Sequence, residues 1–253
     1  MSTRHIATQR RTFLLAGAAA ATEMRGEGAI PESFPSHPPA LAREMVGVSH
    51  GNLARVRELL GIRPALANAS WEWGFGDWET ALGAASHVGR REIAELLIEN
   101  GAAPTLFSAA MLGQLAVVKA MIAARPGVER TLGPHSISLL AHARAGGEQA
   151  AEVARYLEAL GTAGGLGVEA ISEEELEKLT GEYGYGRGAN ERIAISKKGK
   201  QLMFTRSGGE QRPIHHVGGR AFRPAGASGV RVKFEEAALT VRDGDLTLQA
   251  TRR

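Results

Sequence analysis

The chain has no cysteine. Disulfides, thiol nucleophiles, cysteine-ligated zinc and a lipid anchor through an N-terminal cysteine are therefore excluded, while a reducing and an oxidising compartment both remain open. Excess charge is scarce too. The 30 Lys and Arg against 27 Asp and Glu leave a formal net charge of +3, too small and too scattered for the clustered basic face that nucleic acid requires, so no nucleic-acid partner is expected. Long apolar runs are missing. The one run near the N-terminus, residues 13–21, is far too short to span a bilayer as a helix, and no integral membrane segment is expected once a signal is removed. What remains is 43% apolar and 23% charged residues over 253 positions, the balance of a soluble globular protein with one large or two ordinary domains.

Aromatic residues make up only 5% of the chain, yet all three tryptophans (Trp71, Trp73, Trp78) and Phe75 fall within nine residues, WEWGFGDWE, at 71–79. Three exposed Trp rings would forfeit much apolar burial, which favours a plug. Aromatic side chains are also favoured binding anchors, which makes Trp71, Trp73, Phe75 and Trp78 the candidate partner-binding residues, with Glu72, Asp77 and Glu79 as an acidic rim.

At the N-terminus, Arg4, Arg10 and Arg11 precede the apolar run, and small residues follow it. The segment TQRRTFLL (8–15) resembles the twin-arginine export signal, although it lacks the usual Ser before the arginine pair and the Lys after the Leu. The resemblance implies a periplasmic or otherwise exported protein, or a cytoplasmic one if the segment is not a working signal. Residues 1–22 are then the signal. Residues 23–40, with four of the ten prolines and no apolar periodicity, form a flexible tether.

The segment TALGAASHVGRREIAELLIENGA (80–102) resembles an ankyrin repeat, the pattern being carried by Thr80, Leu82, Ala85, Gly89, Glu92, Ile93, Leu96, Leu97, Ile98, Gly101 and Ala102. Ala81, Gly83 and Ser86 depart from it. PTLFSAAMLGQLAVVKAMI (104–122) aligns with the same pattern, HGNLARVRELLG (50–61) supplies the second helix of an earlier unit, and residues 138–161 form a degenerate final one. Physics supports the likeness. Each inter-helix glycine can take the positive φ of a helix C-cap, small residues let first helices approach, and the Leu/Ile/Val runs have the spacing of a buried helical face. One such hairpin cannot bury its apolar side, so the units must stack. Residues 41–161 are thus expected to form a helical ankyrin-type solenoid.

Spacing bears on the tryptophans. Gly51 and Gly89 stand 38 residues apart, Gly89 and Gly113 only 24, Gly113 and Gly147 34, against a family period of about 33. The middle step lacks roughly one β-hairpin finger, and the first step carries its surplus in the Trp-rich finger. The expectation is that this finger folds across the gap and covers apolar helix surface there.

After Gly161 the composition changes. Residues 162–180 read as a linker and a short acidic helix capped by Ser172 and Glu175. Residues 181–253 alternate with period 2 between glycine turns, which predicts an antiparallel β-barrel or curled sheet with Ile193, Ile195, Leu202, Phe204, Phe222, Val232 and Phe234 inward. The fold class is α+β. The L-x-G-x-Y start and the strand order resemble the small lipocalin-like accessory domain of bacterial serine hydrolases of the β-lactamase type. The catalytic neighbour of that module is not present in this sequence.

No catalytic constellation emerges. His215 and His216 point to opposite faces of a strand. His50 and His87 sit beside inter-helix glycines as ordinary turn residues, and His135 and His142 are seven apart across a loop–helix boundary. Ser136 and Ser138 lack a G-x-S-x-G setting. Tyr183, Tyr185 and Arg187 read as core and rim of the β-module. No metal site and no cofactor are expected, and no ligand-binding residue is placed. The leading expectation is a non-enzymatic exported scaffold contacting a protein or envelope component through the Trp-rich finger. A carrier of a small apolar ligand in the β-barrel is the alternative, and an enzyme with a site at the domain interface comes third.

Overall fold

The computed structural model describes residues 32–165 and 169–253. The proposed export signal and residues 23–31 of the tether lie outside the described residues. Residues up to Pro38 form one unit and Pro39–Arg253 another, and everything below concerns the second.

Four helical hairpins come first: α1 (Pro39–Val48) with α2 (Leu53–Ile62), then, after the β1 (Ser70–Glu72) and β2 (Trp78–Thr80) finger, α3 (Ala81–His87) with α4 (Arg91–Glu99). These are followed by α5 (Leu106–Met111) with α6 (Leu115–Ala124), and α7 (Leu139–Ala145) with α8 (Ala151–Leu160). Helix α1 therefore claims Pro39 and Ala40, the last two residues assigned to the tether, Pro39 being compatible with a helix start because its missing N–H is not needed there. Side chains fix the starts of α3, α5 and α7. The Thr80 hydroxyl accepts from Gly83 N at 2.9 Å, Thr105 and Ser108 form a reciprocal capping box, and Ser138 accepts from Ala141 N.

First helices pack on one another in chain order, α1 on α3, α3 on α5 and α5 on α7. Glycine permits the close approach. Gly89 has φ +72°, and a Cβ there would lie 2.1 Å from the Ala145 carbonyl oxygen. Gly113, at φ +77°, has the same relation to Gln149. Gly51 differs from expectation: it takes no positive φ, and Asn52 caps α2 instead by accepting from Arg55 N. The hairpins bury two apolar clusters, one around Met45, Leu59, Leu82 and Leu97, the other around Leu106, Val118, Leu139 and Leu157. Each such fully buried side chain contributes roughly 1.5–3 kcal/mol before entropy.

Helix α9 (Glu173–Leu179), capped by Ser172, leads into eight strands: β3 (Gly181–Gly184), β4 (Arg192–Lys198), β5 (Gln201–Arg206), β6 (Arg212–Gly218), β7 (Ala221–Pro224), β8 (Arg231–Phe234), β9 (Ala238–Asp243) and β10 (Leu246–Arg252). They close into an antiparallel barrel in the order β10-β3-β4-β5-β6-β7-β8-β9. Closure leaves no unpaired edge. All seven residues expected inward are buried, with Tyr183, Phe222 and Phe234 packed edge-to-face at the centre. Helix α9 covers one end, burying Leu176 and Leu179 and pairing Glu177 with Lys197 at 2.7 Å. The opposite end, where β5 stops, β6 starts and β9 turns into β10, meets the finger. No helix among the described residues is long and apolar enough to cross a membrane.

Candidate functional site

The finger is built to hold a bend. Gly74, Phe75 and Gly76 have φ of +111°, +59° and +76° in succession, a conformation that a bulky residue such as Phe75 adopts only when its surroundings impose it. One oxygen of Glu72 imposes it, accepting from Gly74 N at 2.8 Å and Gly76 N at 2.7 Å. The bend delivers Phe75 into the barrel end, its ring edge-on to that of Phe204 at 5.7 Å and packed on the barrel's core. Arg212, buried at the start of β6, completes the join. It donates to Asp77 Oδ2 and the Ala225 carbonyl at 2.9 Å each, and to the Trp73 carbonyl.

Beside this plug lies a cavity of about 490 Å³. Trp73, Phe75, Phe204, Val241, Leu246 and Leu248 give it apolar walls, and Arg206 and Asp243 stand among its polar groups. The four aromatic residues of the finger thus have separate fates. Trp71 and Trp73 are half-buried against the first apolar cluster, with the Arg43 guanidinium 5.8 Å above Trp71. Phe75 enters the barrel end. Trp78 is 64% exposed. The rings therefore lean on α1 and the barrel instead of covering helix surface at the missing finger.

The connection after α4, where the sequence spacing leaves no room for a finger, is short. Only Asn100–Thr105 separates α4 from α5, and Asn68 clamps it, donating to the Gly101 carbonyl and accepting from Ala103 N. With no finger between them, the loop before α7 reaches the Trp-rich finger directly. His135, in a tight turn with φ +58°, donates its backbone N–H to Asp77 Oδ1 at 2.9 Å and sets its Nδ1 2.7 Å from Asp77 Oδ2. Strand alternation supplies the partner: Trp78 and Thr80 face out, so Glu79 faces in and is fully buried.

Stacking supplies two more rings. His50 closes the α1 hairpin and His87 ends α3, equivalent positions of neighbouring hairpins, and their rings meet at 5.0 Å with Nε2 to Nε2 at 3.2 Å. Glu79 Oε1 lies 2.9 Å from His87 Nε2 and 3.3 Å from His135 Nε2, and Glu79 Oε2 lies 3.6 Å from His50 Nε2. The indole N–H of Trp73 donates to Glu79 Oε2 at 2.8 Å. One donor atom from each of His50, Glu79, His87 and His135 thus lies within 4.8 Å of the others.

The charges follow from this crowding. Burial alone would push Glu79 up, but His135, His87 and His50 bring it down to about 2. Burial works against a charged His135, yet the Asp77 and Glu79 carboxylates raise it to about 9. Asp77 is likewise pushed up by burial and held below the ordinary carboxylate range by His135 and Arg212. His142, behind His87, is lowered to about 4 by burial.

Other sequence candidates lie apart. Both ring nitrogens of buried His216 face carbonyl oxygens, of Glu169 and Gly219, and His215 is on the other side of the strand. Tyr183 is core, its hydroxyl donating to the Leu179 carbonyl, and Ser136 accepts from Gly226 N of the barrel. Sequence reasoning passed over Glu79, His50, His87 and His135 as a group. The usable signal was the equivalence of His50 and His87 beside successive inter-helix glycines. No family model and no curated protein matches the chain.

Proposed function

We propose that this is an exported, non-enzymatic binding protein that holds a small amphipathic molecule at the finger-capped end of the barrel. The reading takes the helical hairpins as an ankyrin-type stack and the barrel as lipocalin-like, and takes the twin-arginine-type segment as the export address. The observation that carries it is the cavity of about 490 Å³, within the range of small-molecule sites and apolar over most of its wall. The ligand would sit at the barrel mouth, because the barrel interior is filled by Tyr183, Phe222 and Phe234. Two further features support it. Leu246 is 68% exposed at the rim, where an apolar chain would cover it. Arg206 has its Nε on the Tyr185 hydroxyl and its guanidinium over that ring, with no carboxylate within 4.0 Å among the described residues. The occupant that fits is a medium-chain carboxylate, its chain on Phe75, Val241 and Leu248 and its head at Arg206.

Trp73 lines the cavity, so tryptophan emission reports on filling it. Titration of the metal-stripped protein with decanoate should shift the emission saturably. Leu246→Arg should abolish the shift and Arg206→Gln should weaken binding to decanoate more than to decanol. An unchanged emission and melting temperature, or full binding by Leu246→Arg, would sink the proposal. A second reading, contact with a protein partner through the finger, is favoured at one residue, the outward-facing Trp78.

A further inference from the structure

We infer that His50, Glu79, His87 and His135 form a site for one divalent transition ion of the zinc class. This goes beyond the barrel-mouth reading and rests on different atoms.

The geometry is that of ligands around a common centre. Zinc binds histidine nitrogen and carboxylate oxygen at about 2.0–2.2 Å, so the edges of its tetrahedron measure roughly 3.3–3.5 Å. From Glu79 Oε1 to His87 and His135 and from His87 to His50 the contacts run 2.9, 3.3 and 3.2 Å, and one donor atom from each of the four residues lies within 4.8 Å of the others. Ordinary hydrogen bonding accounts for these contacts only in part. His50 and His87 present Nε2 to Nε2. Glu79 Oε1, fully buried, has no aligned hydrogen-bond donor although two imidazole nitrogens are in contact with it. A buried oxygen left this way is costly unless something else engages it.

The surroundings orient the rings as ligands. His50 Nδ1 lies 3.0 Å from the Gly47 carbonyl, and His135 Nδ1 lies 2.7 Å from Asp77 Oδ2. A proton on each Nδ1 leaves the Nε2 lone pair pointing into the cluster, the arrangement of an acceptor, a histidine and a metal in line. Trp73 fixes the carboxylate from the far side. His135 keeps its left-handed backbone because Asp77 grips it twice, local strain of the kind that collects at functional sites.

Ligand chemistry selects the ion. Three imidazoles and one carboxylate are a borderline nitrogen-rich set, suited to zinc and its first-row neighbours. Calcium and magnesium prefer oxygen shells. Four protein ligands complete a tetrahedron, which marks a structural ion more than a hydrolytic one. That ion would staple four segments, the α1–α2 turn, the finger, the end of α3 and the loop before α7. Glu79 and His87 are buried while His50 and His135 are about one-third exposed, so the ion has an entry path.

The test uses the full chain stripped with EDTA and dialysed. Titration with Co²⁺ should give the visible absorption of a tetrahedral nitrogen–oxygen site, saturating at one equivalent and bleached by one equivalent of Zn²⁺. Zinc at a hundredfold excess over its Kd should raise the melting temperature by about 5–10 °C. His50→Ala, at a ligand about one-third exposed, should lose at least about a hundredfold in affinity and the tetrahedral band. Asp77→Asn should lose about 10–100-fold, and His215→Ala, on the barrel, should lose nothing. No tetrahedral band and no zinc-dependent shift in the folded wild type would overturn the inference. So would wild-type affinity in both His50→Ala and Glu79→Gln. The decanoate titration is run on stripped protein, so either proposal can fail without the other.

Discussion

Asp77 is the residue through which the finger grips both of its neighbours, and removing it gives a quantitative test of that role. Its carboxylate is buried and accepts three hydrogen bonds, from His135 N, from His135 Nδ1 and from Arg212 Nη1. It also fills the position a Cβ on Gly226 would take, 1.9 Å away, so the barrel is shaped around it. In Asp77→Ala the Arg212 guanidinium stays inside with only the carbonyls of Ala225 and Trp73. An uncompensated buried charge of this kind costs about 3–5 kcal/mol. Arg212→Met is expected to cost less, about 1–3 kcal/mol, because His135 still neutralises Asp77. The double variant Asp77→Ala/Arg212→Met should be more stable than the sum of the single losses by about 1.5–3 kcal/mol, since neither charge is then stranded. Urea unfolding of the EDTA-treated proteins, followed by far-UV circular dichroism, measures all four corners of the cycle. Additivity within about 0.5 kcal/mol, or a cost below about 1 kcal/mol for Asp77→Ala, would refute the claim that this contact joins the helical part to the barrel.

Two other outcomes follow from burial. His142 is fully buried, with Nδ1 on the Ser138 carbonyl and no partner for Nε2. Its pKa falls from 6.5 to about 4 on folding, so between those values the unfolded chain takes up a proton that the folded one refuses. Its contribution is complete above pH 6.5 and is lost as the pH falls to 4, up to about 3 kcal/mol. His135, raised to about 9, acts in the other window: what it contributes is complete below pH 6.5 and disappears as the pH rises through 9. Urea midpoints of stripped protein between pH 7 and 4.5 should therefore slope less in His142→Leu than in wild type; equal slopes would refute the assignment. As for the tryptophans, acrylamide should quench wild-type emission in part, through exposed Trp78. Trp78→Phe should leave a blue-shifted, quench-resistant emission from Trp71 and Trp73, and unchanged quenching would contradict their placement.

The barrel was legible because its signal is local. Period-2 alternation named the inward residues from Ile193 to Phe234, and glycine turns such as Asp243-Gly244 marked the strand ends. One helix start was legible where Ser172 caps it. The finger's target was not. Phe75 reaches Phe204 and Asp77 reaches Arg212 across 129 and 135 residues of sequence, and nothing in QRPIHHV distinguishes Arg212 from a solvated strand-end cation. Glu79 was read as part of an acidic rim although its place between Trp78 and the cap Thr80 in a three-residue strand sets it inward. His50 and His87 were each read singly as turn residues; their equivalence in stacked hairpins is what makes them neighbours.

The short step between Gly89 and Gly113 has consequences beyond the connection itself. A hairpin finger after α4 would stand between the Trp-rich finger and the loop before α7. Its absence lets His135 reach Asp77 and Glu79, and the same loop sends Ser136 to Gly226 of the barrel. One shortened connection thereby produces both the histidine–carboxylate cluster and the join between helices and barrel. The two candidate sites then share a wall. Trp73 holds Glu79 by its indole N–H, accepts from Arg212 through its carbonyl, and lines the barrel-mouth cavity with its ring. Arg212 forms a second link, lining the same cavity and donating to Asp77, which holds His135 of the cluster.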